Sequence, residues 1–174
     1  MKKFWMSTML SVMLLVALAG AALAATGDVT DSQALKDLAA VRKATAKYHD
    51  VKLAEADGYV PDPHCAMSPG EGGMGYHYIN FGLVAQPGVE LTRPEVLLYA
   101  DSGKGLKLVG VEYFVPLESL EPLNPEPALF GRVFDGPMEG HAEGMPPHYD
   151  LHAWVWLANP NGTFNGYNPL VTCP

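Results

Sequence analysis

The chain has little of what would announce a familiar activity. It holds only two cysteines, Cys65 and Cys173, in 174 residues. They form no CxxC pair, which removes the usual redox motif and the paired spacing of structural zinc sites. The nucleophile elbow, the phosphate-binding P-loop, the dinucleotide-binding fingerprint and the HExxH motif are missing, so the familiar hydrolase, nucleotide-binding and dehydrogenase classes lose support. Charge is sparse at 17%, and positive charge sparsest: eleven Lys and Arg stand against nineteen Asp and Glu, for a net charge of −8. Such an acidic chain argues against nucleic acid or an anionic membrane as partner, and it suits solubility and the attraction of cations. No internal repeat, coiled coil or domain boundary interrupts it.

What is present starts with an N-terminal segment, residues 1–24. Lys2 and Lys3 precede the apolar run Met9 to Leu18, and Ala22-Leu23-Ala24 offers small residues at a cleavage site. This pattern predicts a secretory signal peptide. The alternative is a retained anchor, since Phe4 to Ala24 nearly suffices to span a bilayer. Cleavage leaves residues 25–174 as one domain, with nine basic and nineteen acidic residues and a net charge of −10. No stable membrane insertion is expected after cleavage. Both cysteines lie in the exported part, where an even count favours one disulfide, Cys65 to Cys173. Thiolate ligation or a redox pair is the competing use.

Thr30 or Asp31 can cap a helix running through Ala34, Leu35, Leu38, Val41 and Thr45 to Tyr48. A second piece, 51–57, ends at Gly58, with Pro61 beyond it, and one kinked helix over both pieces is the alternative. Strands and loops follow. Residues 62–75, crowded with Gly and Pro, predict a loop. Residues 76–84 predict a strand, and 96–100 with 106–115 a hairpin around Asp101-Ser102-Gly103-Lys104-Gly105. Residues 116–128 predict an irregular crossing, 129–134 a short strand and 135–147 a second loop. A long strand from His148 and a final extended piece reaching Cys173 complete the order. The expected class is α+β: an N-terminal helix packed on a curled, mainly antiparallel sheet, barrel- or cone-like.

The stretch His148 to Leu157 carries the strongest signal. With a period of two, Tyr149, Leu151, Ala153, Val155 and Leu157 form one apolar face. His148, Asp150, His152, Trp154 and Trp156 share the other, which reads as a pocket wall. The H-x-x-x-H spacing of His148 and His152 would chelate on a helix, but on a strand those positions lie about 13 Å apart. Asp150 and His152, roughly 6.6 Å apart, are the better local pair, and His148 is expected at the rim.

His77 and Glu112 fall on other predicted strands. A mid-strand carboxylate on an apolar face must be paired, protonated or metal-bound. Two imidazoles and one carboxylate suit a single zinc, iron, manganese or copper ion. The leading expectation is therefore a divalent transition metal held by His77, Glu112 and His152, with Asp150 as fourth or outer group. An enzyme on such a site would use a metal-activated water or dioxygen step; binding without catalysis is equally open. In the structural alternative, Glu112 pairs with Arg132, Arg93 or a histidine and His77 with a tyrosine. Tyr78, Tyr113, His148, Trp154 and Trp156 would then line a metal-free pocket for a small apolar or sugar ligand, or simply pack the core.

A separate pattern, Met138-x-x-His141-x-x-x-Met145-x-x-His148, combines thioethers and imidazoles as a copper loop would. Methionine also fills irregular gaps, so the pattern alone decides nothing. Met74-Gly75-Tyr76-His77-Tyr78, Val111-Glu112-Tyr113, Leu151-His152-Ala153-Trp154-Val155-Trp156 and Asn168-Pro169 with Cys173 resemble a group of small exported bacterial proteins, over most of the chain after the first segment. No activity is known for that group. The resemblance implies export and bacterial origin, with no implication for chemistry.

Overall fold

The structure, a computed structural model, describes residues 31–142 and 144–174. The expected signal segment lies outside them. No helix among the described residues is long and apolar enough to cross a membrane.

Asp31 starts helix α1 (Ser32–Thr45) by accepting a hydrogen bond from the Gln33 backbone N–H at 3.1 Å, which satisfies one of the amides left free in a first turn. Its buried positions, Ala34, Leu38, Val41 and Thr45, recur at helical spacing and form a single stripe. A 3-10 turn (Ala46–His49) breaks the helix, and Asp50 then caps α2 (Val51–Ala56). The kink is thus a true interruption. Gly58 ends the second helix with φ near +93°, in the region open to glycine.

Strands β1 (Val60–Ser68), β2 (Gly72–Ile79), β3 (Val96–Asp101) and β4 (Leu106–Pro116) follow, with a short helix α3 (Phe81–Val84) after β2. Next come β5 (Ala128–Leu129) and β6 (Arg132–Val133), which form a small separate pair. Strands β7 (Asp135–Met138) and β8 (His148–Ala153) close the list of elements. Six strands make one curled antiparallel sheet in the order β1-β2-β3-β4-β8-β7. This is the expected α+β architecture.

Three local expectations need correction. Residues 62–75 were expected to loop, yet Val60–Ser68 is a strand in spite of Pro61 and Pro63. It lies at the sheet edge, where a proline costs no ladder bond on the open side. Residues 81–84, expected as strand, are helical because the Asn80 side chain caps them at the Leu83 N–H, 3.1 Å away. Residues 135–138, expected in a loop, form the opposite edge strand.

An apolar cluster lies on each face of the sheet. One face carries Tyr78, Leu97, Tyr99, Val111, Tyr113, Tyr149, Leu151 and Ala153 against Leu38, Val41 and Tyr48 of the helical side. The other face gathers Val96, Leu98, Val109, Phe114, Trp154 and Val171. The C-terminal segment covers this second face: Gly73 and Asn168 exchange backbone hydrogen bonds of 3.1 and 3.0 Å. The Cys65–Cys173 disulfide ties the segment down.

Candidate metal centre

The second face is where the polar residues collect. On β8, His148, Asp150 and His152 alternate with Tyr149, Leu151 and Ala153, so the three point one way and the apolar three point to the helices. In the β4–β8 ladder, Glu112 stands directly opposite His152 and Phe114 opposite Asp150. Directly opposed residues project to the same face with Cβ atoms about 5 Å apart. His77 is opposed by Leu98 on the intervening strand β3. It therefore starts two strands and two residues of register from Glu112, which lines up through Val96 with Ile79, roughly 12 Å on a flat sheet. Sheet curl and two long side chains close that gap.

Glu112 Oε2 lies 3.4 Å from His77 Nε2 and 3.7 Å from His152 Nε2. One ligating atom from each of the three residues falls within 4.8 Å of the others. The Glu112 and His152 side chains are 6% and 3% exposed, while His77 at 17% is the edge nearest solvent. Beside His77, β1 departs from register between Pro61 and Cys65, which loosens the edge strand there.

None of these contacts has hydrogen-bond geometry. Glu112 Oε2 and His152 Nε2 are both buried without a hydrogen-bond partner. A buried polar atom left unpaired costs about 1–3 kcal/mol, and here two of them face one another. The separations have a simple counterpart in coordination chemistry. Nitrogen and oxygen ligands about 2.05 Å from a tetrahedral zinc are roughly 3.3 Å apart. The donor set fits a cation, whereas direct charged hydrogen bonds would draw the atoms to about 2.7–2.9 Å.

Burial sets the protonation states. It lowers the His77 imidazole to about 4, with help from His152, and it lowers His152 as well. Both rings therefore present bare lone pairs at neutral pH. Burial, with Asp150 next in weight, raises the Glu112 carboxyl well above the ordinary range. A cation would replace its proton.

Asp150 sits behind the triad, its Oδ1 3.9 Å from His152 Nδ1 and its Oδ2 3.7 Å from His148 Nε2. It lies outside the three-residue cluster. His148 is not at the rim; it is wholly buried, and its ring stacks on Phe114 with centroids 4.7 Å apart. Gly166 borders the centre too: a Cβ there would be 3.9 Å from His152 Nδ1 and 3.5 Å from Met74 Cε.

The aromatic residues expected to line a pocket divide between the faces. Trp154 packs on the triad side and donates its indole N–H to the Asn165 carbonyl at 2.6 Å. Tyr78 and Tyr113 project to the helical side, one residue out of phase with His77 and Glu112. Trp156 also lies there, donating to Thr45 Oγ1 at 3.1 Å, because β8 stops at Ala153 and the alternation is lost beyond it. The copper pattern is scattered in part. Met145 packs against the apolar cluster of Val96 and Trp154, but His141 comes within 5.3 Å of His148, measured between ring centroids.

Two open clefts lie elsewhere. One of about 250 Å³ is lined by Leu83, Val89, Arg93 and Glu95; the other, about 300 Å³, by Arg132, Asp135, Phe164 and Gly166. Neither includes a triad side chain. Gly70, Gly72 and Gly75 do have the bare G-x-G-x-x-G spacing, but Gly70 lies in the β1–β2 turn and the other two within β2, with no helix to receive a phosphate. Glu95 escaped the sequence reading; it is 3% exposed and accepts the Phe114 N–H at 3.2 Å. Its one sequence signal is a carboxylate placed immediately before the apolar run Val96 to Tyr99.

Comparison of the chain with protein-family models, with curated proteins and with solved structures finds no match.

Proposed function

We propose that this is an exported protein that binds one divalent transition-metal ion through His77, Glu112 and His152. The observation that carries this reading is the pair of buried, partnerless atoms, Glu112 Oε2 and His152 Nε2, in a three-residue donor cluster. In the metal-free alternative Glu112 pairs with a histidine; both histidines stand within ion-pair reach of it, at 3.4 and 3.7 Å, but neither contact has hydrogen-bond geometry. Neither Arg93 nor Arg132 pairs with Glu112 among the described residues. Two imidazoles and a carboxylate suit zinc, iron, manganese or copper and leave positions for water or an added ligand. Asp150, behind His152, supports the ring as outer carboxylates do at such centres. Export is supported by the disulfide and by the N-terminal segment.

The test is metal content and affinity of untagged protein. Wild-type protein should take up zinc with saturation at the triad, and His77→Ala or Glu112→Gln should weaken that uptake by more than 100-fold. This exceeds the 10- to 100-fold typical of outer-shell losses. At a metal concentration about 100 times Kd, binding should add about 2.7 kcal/mol to stability, which a chelator removes. Unchanged melting with metal and chelator, together with unchanged uptake in both variants, would sink the proposal.

A further inference from the structure

A third orphaned atom lies outside the triad. His148 Nε2 is buried and has no hydrogen-bond partner. The other ring nitrogen, Nδ1, is 3.0 Å from the Pro146 carbonyl oxygen. A carbonyl only accepts, so Nδ1 carries a proton, and in the neutral ring Nε2 is a bare lone pair. That lone pair faces Asp150 Oδ2 at 3.7 Å. Burial lowers the His148 imidazole, but hydrogen bonding to Asp150 and to the Pro146 carbonyl outweighs it and raises the group overall, so the positive charge between ring and carboxylate is either a ring proton or a cation. A proton would draw the pair to about 2.7–2.9 Å. The observed gap instead equals the 3.7 Å between His152 Nε2 and Glu112 Oε2.

Strand β7 and the loop after it bring two more donors. Met138 is directly opposite His148 in the ladder, so its side chain projects to the same face. The ring of His141 lies beside that of His148, at 5.3 Å between centroids, and His141 is exposed. Gly136 permits this approach: a Cβ there would stand 2.8 Å from the His148 carbonyl oxygen. Three of the four residues of the copper pattern, Met138, His141 and His148, are thus kept together, while Met145 packs into the apolar cluster.

We propose that His148 Nε2 and Asp150 Oδ2 are the fixed half of a second metal position beside the triad, completed by His141 and Met138. Imidazole and thioether together favour copper, and the carboxylate supplies charge. Asp150 would then face both positions, one carboxylate oxygen toward each. The second position has its own ligands and does not require the triad to be occupied.

Copper content after dialysis against buffered copper tests this on the full chain. Two equivalents are expected in wild type. His148→Asn should lose one equivalent and keep the one that His77→Ala abolishes. His148 is buried, so the exposed His141→Ala and the edge variant Met138→Leu provide a second measure; each should weaken one equivalent about tenfold or more and leave the other unchanged. Copper uptake that is the same in wild type, His148→Asn, His141→Ala and Met138→Leu overturns the second position. If only the triad reading fails, one equivalent survives His77→Ala and is still lost in His148→Asn.

Discussion

Burial makes Glu112 a reluctant acid and His77 and His152 reluctant bases, and this predicts how metal binding should respond to pH. At neutral pH the two rings are already unprotonated, while Glu112 holds its proton far above the ordinary carboxylate range. Metal must displace that proton, so affinity should rise with pH through the raised range of Glu112. Calorimetry near pH 6 in buffers of different ionisation heat should find about one proton released per ion at the triad, and none in Glu112→Gln. Release of two protons would assign the titration to the histidines. Glu95 provides a separate check. Its burial raises the carboxyl to about 7. The folded value exceeds the unfolded one, so its contribution to stability is complete below about pH 4.5 and is lost as pH rises through about 7, an effect of about 3 kcal/mol. Glu95→Gln should therefore gain on wild type in urea unfolding between pH 5 and pH 8. An identical pH slope in the two proteins would refute this.

At the scale of elements, period and position explain which features could be read in advance. The β8 alternation was legible because Tyr149, Leu151 and Ala153 are all apolar and their neighbours all polar. It also assigned His152 and Asp150 to one face. Glu112 was legible as a lone carboxylate in an apolar strand. The end of β8 was not legible, since Trp154 to Leu157 keep an apolar composition after the ladder stops. Beyond it, the Trp156 and Leu157 N–H groups both turn to the Val109 carbonyl at 3.0 Å, which puts Trp156 on the helical side. Edge strands β1 and β7 were hidden by their prolines and glycines, which composition assigns to loops. The convergence of His77 across two strands depends on sheet curl, a tertiary property with no local signal. Gly136 tests the β7–β8 contact. It has φ near +131°, and a Cβ would be 2.9 Å from Tyr149 Cδ1. Gly136→Ala should destabilise by about 1–3 kcal/mol in chemical denaturation. Triad affinity, set on β2, β4 and β8, should stay within threefold of wild type.

The whole molecule is a sheet covered on one face by helices and on the other by its own C-terminal chain. The Cys65–Cys173 bond spans 108 residues and holds that second cover over the triad. Closing a loop of about 100 residues contributes roughly 4.7 kcal/mol in the chain-entropy description. Removing it, as Cys65→Ser with Cys173→Ser, should lower Tm on the order of 10 °C for a domain of this size. A shift below 2 °C would mean that the C-terminal cover is held by its other contacts. The central claim, that three distant strands deliver His77, Glu112 and His152 to one cation, is tested most directly by imidazole 15N NMR during a zinc titration. The Nε2 resonances of His77 and His152 should move together and saturate with the same equivalent of zinc, and Glu112→Gln should abolish this joint response. Shifts confined to the exposed His49 and His64, with His77 and His152 unmoved, would contradict it.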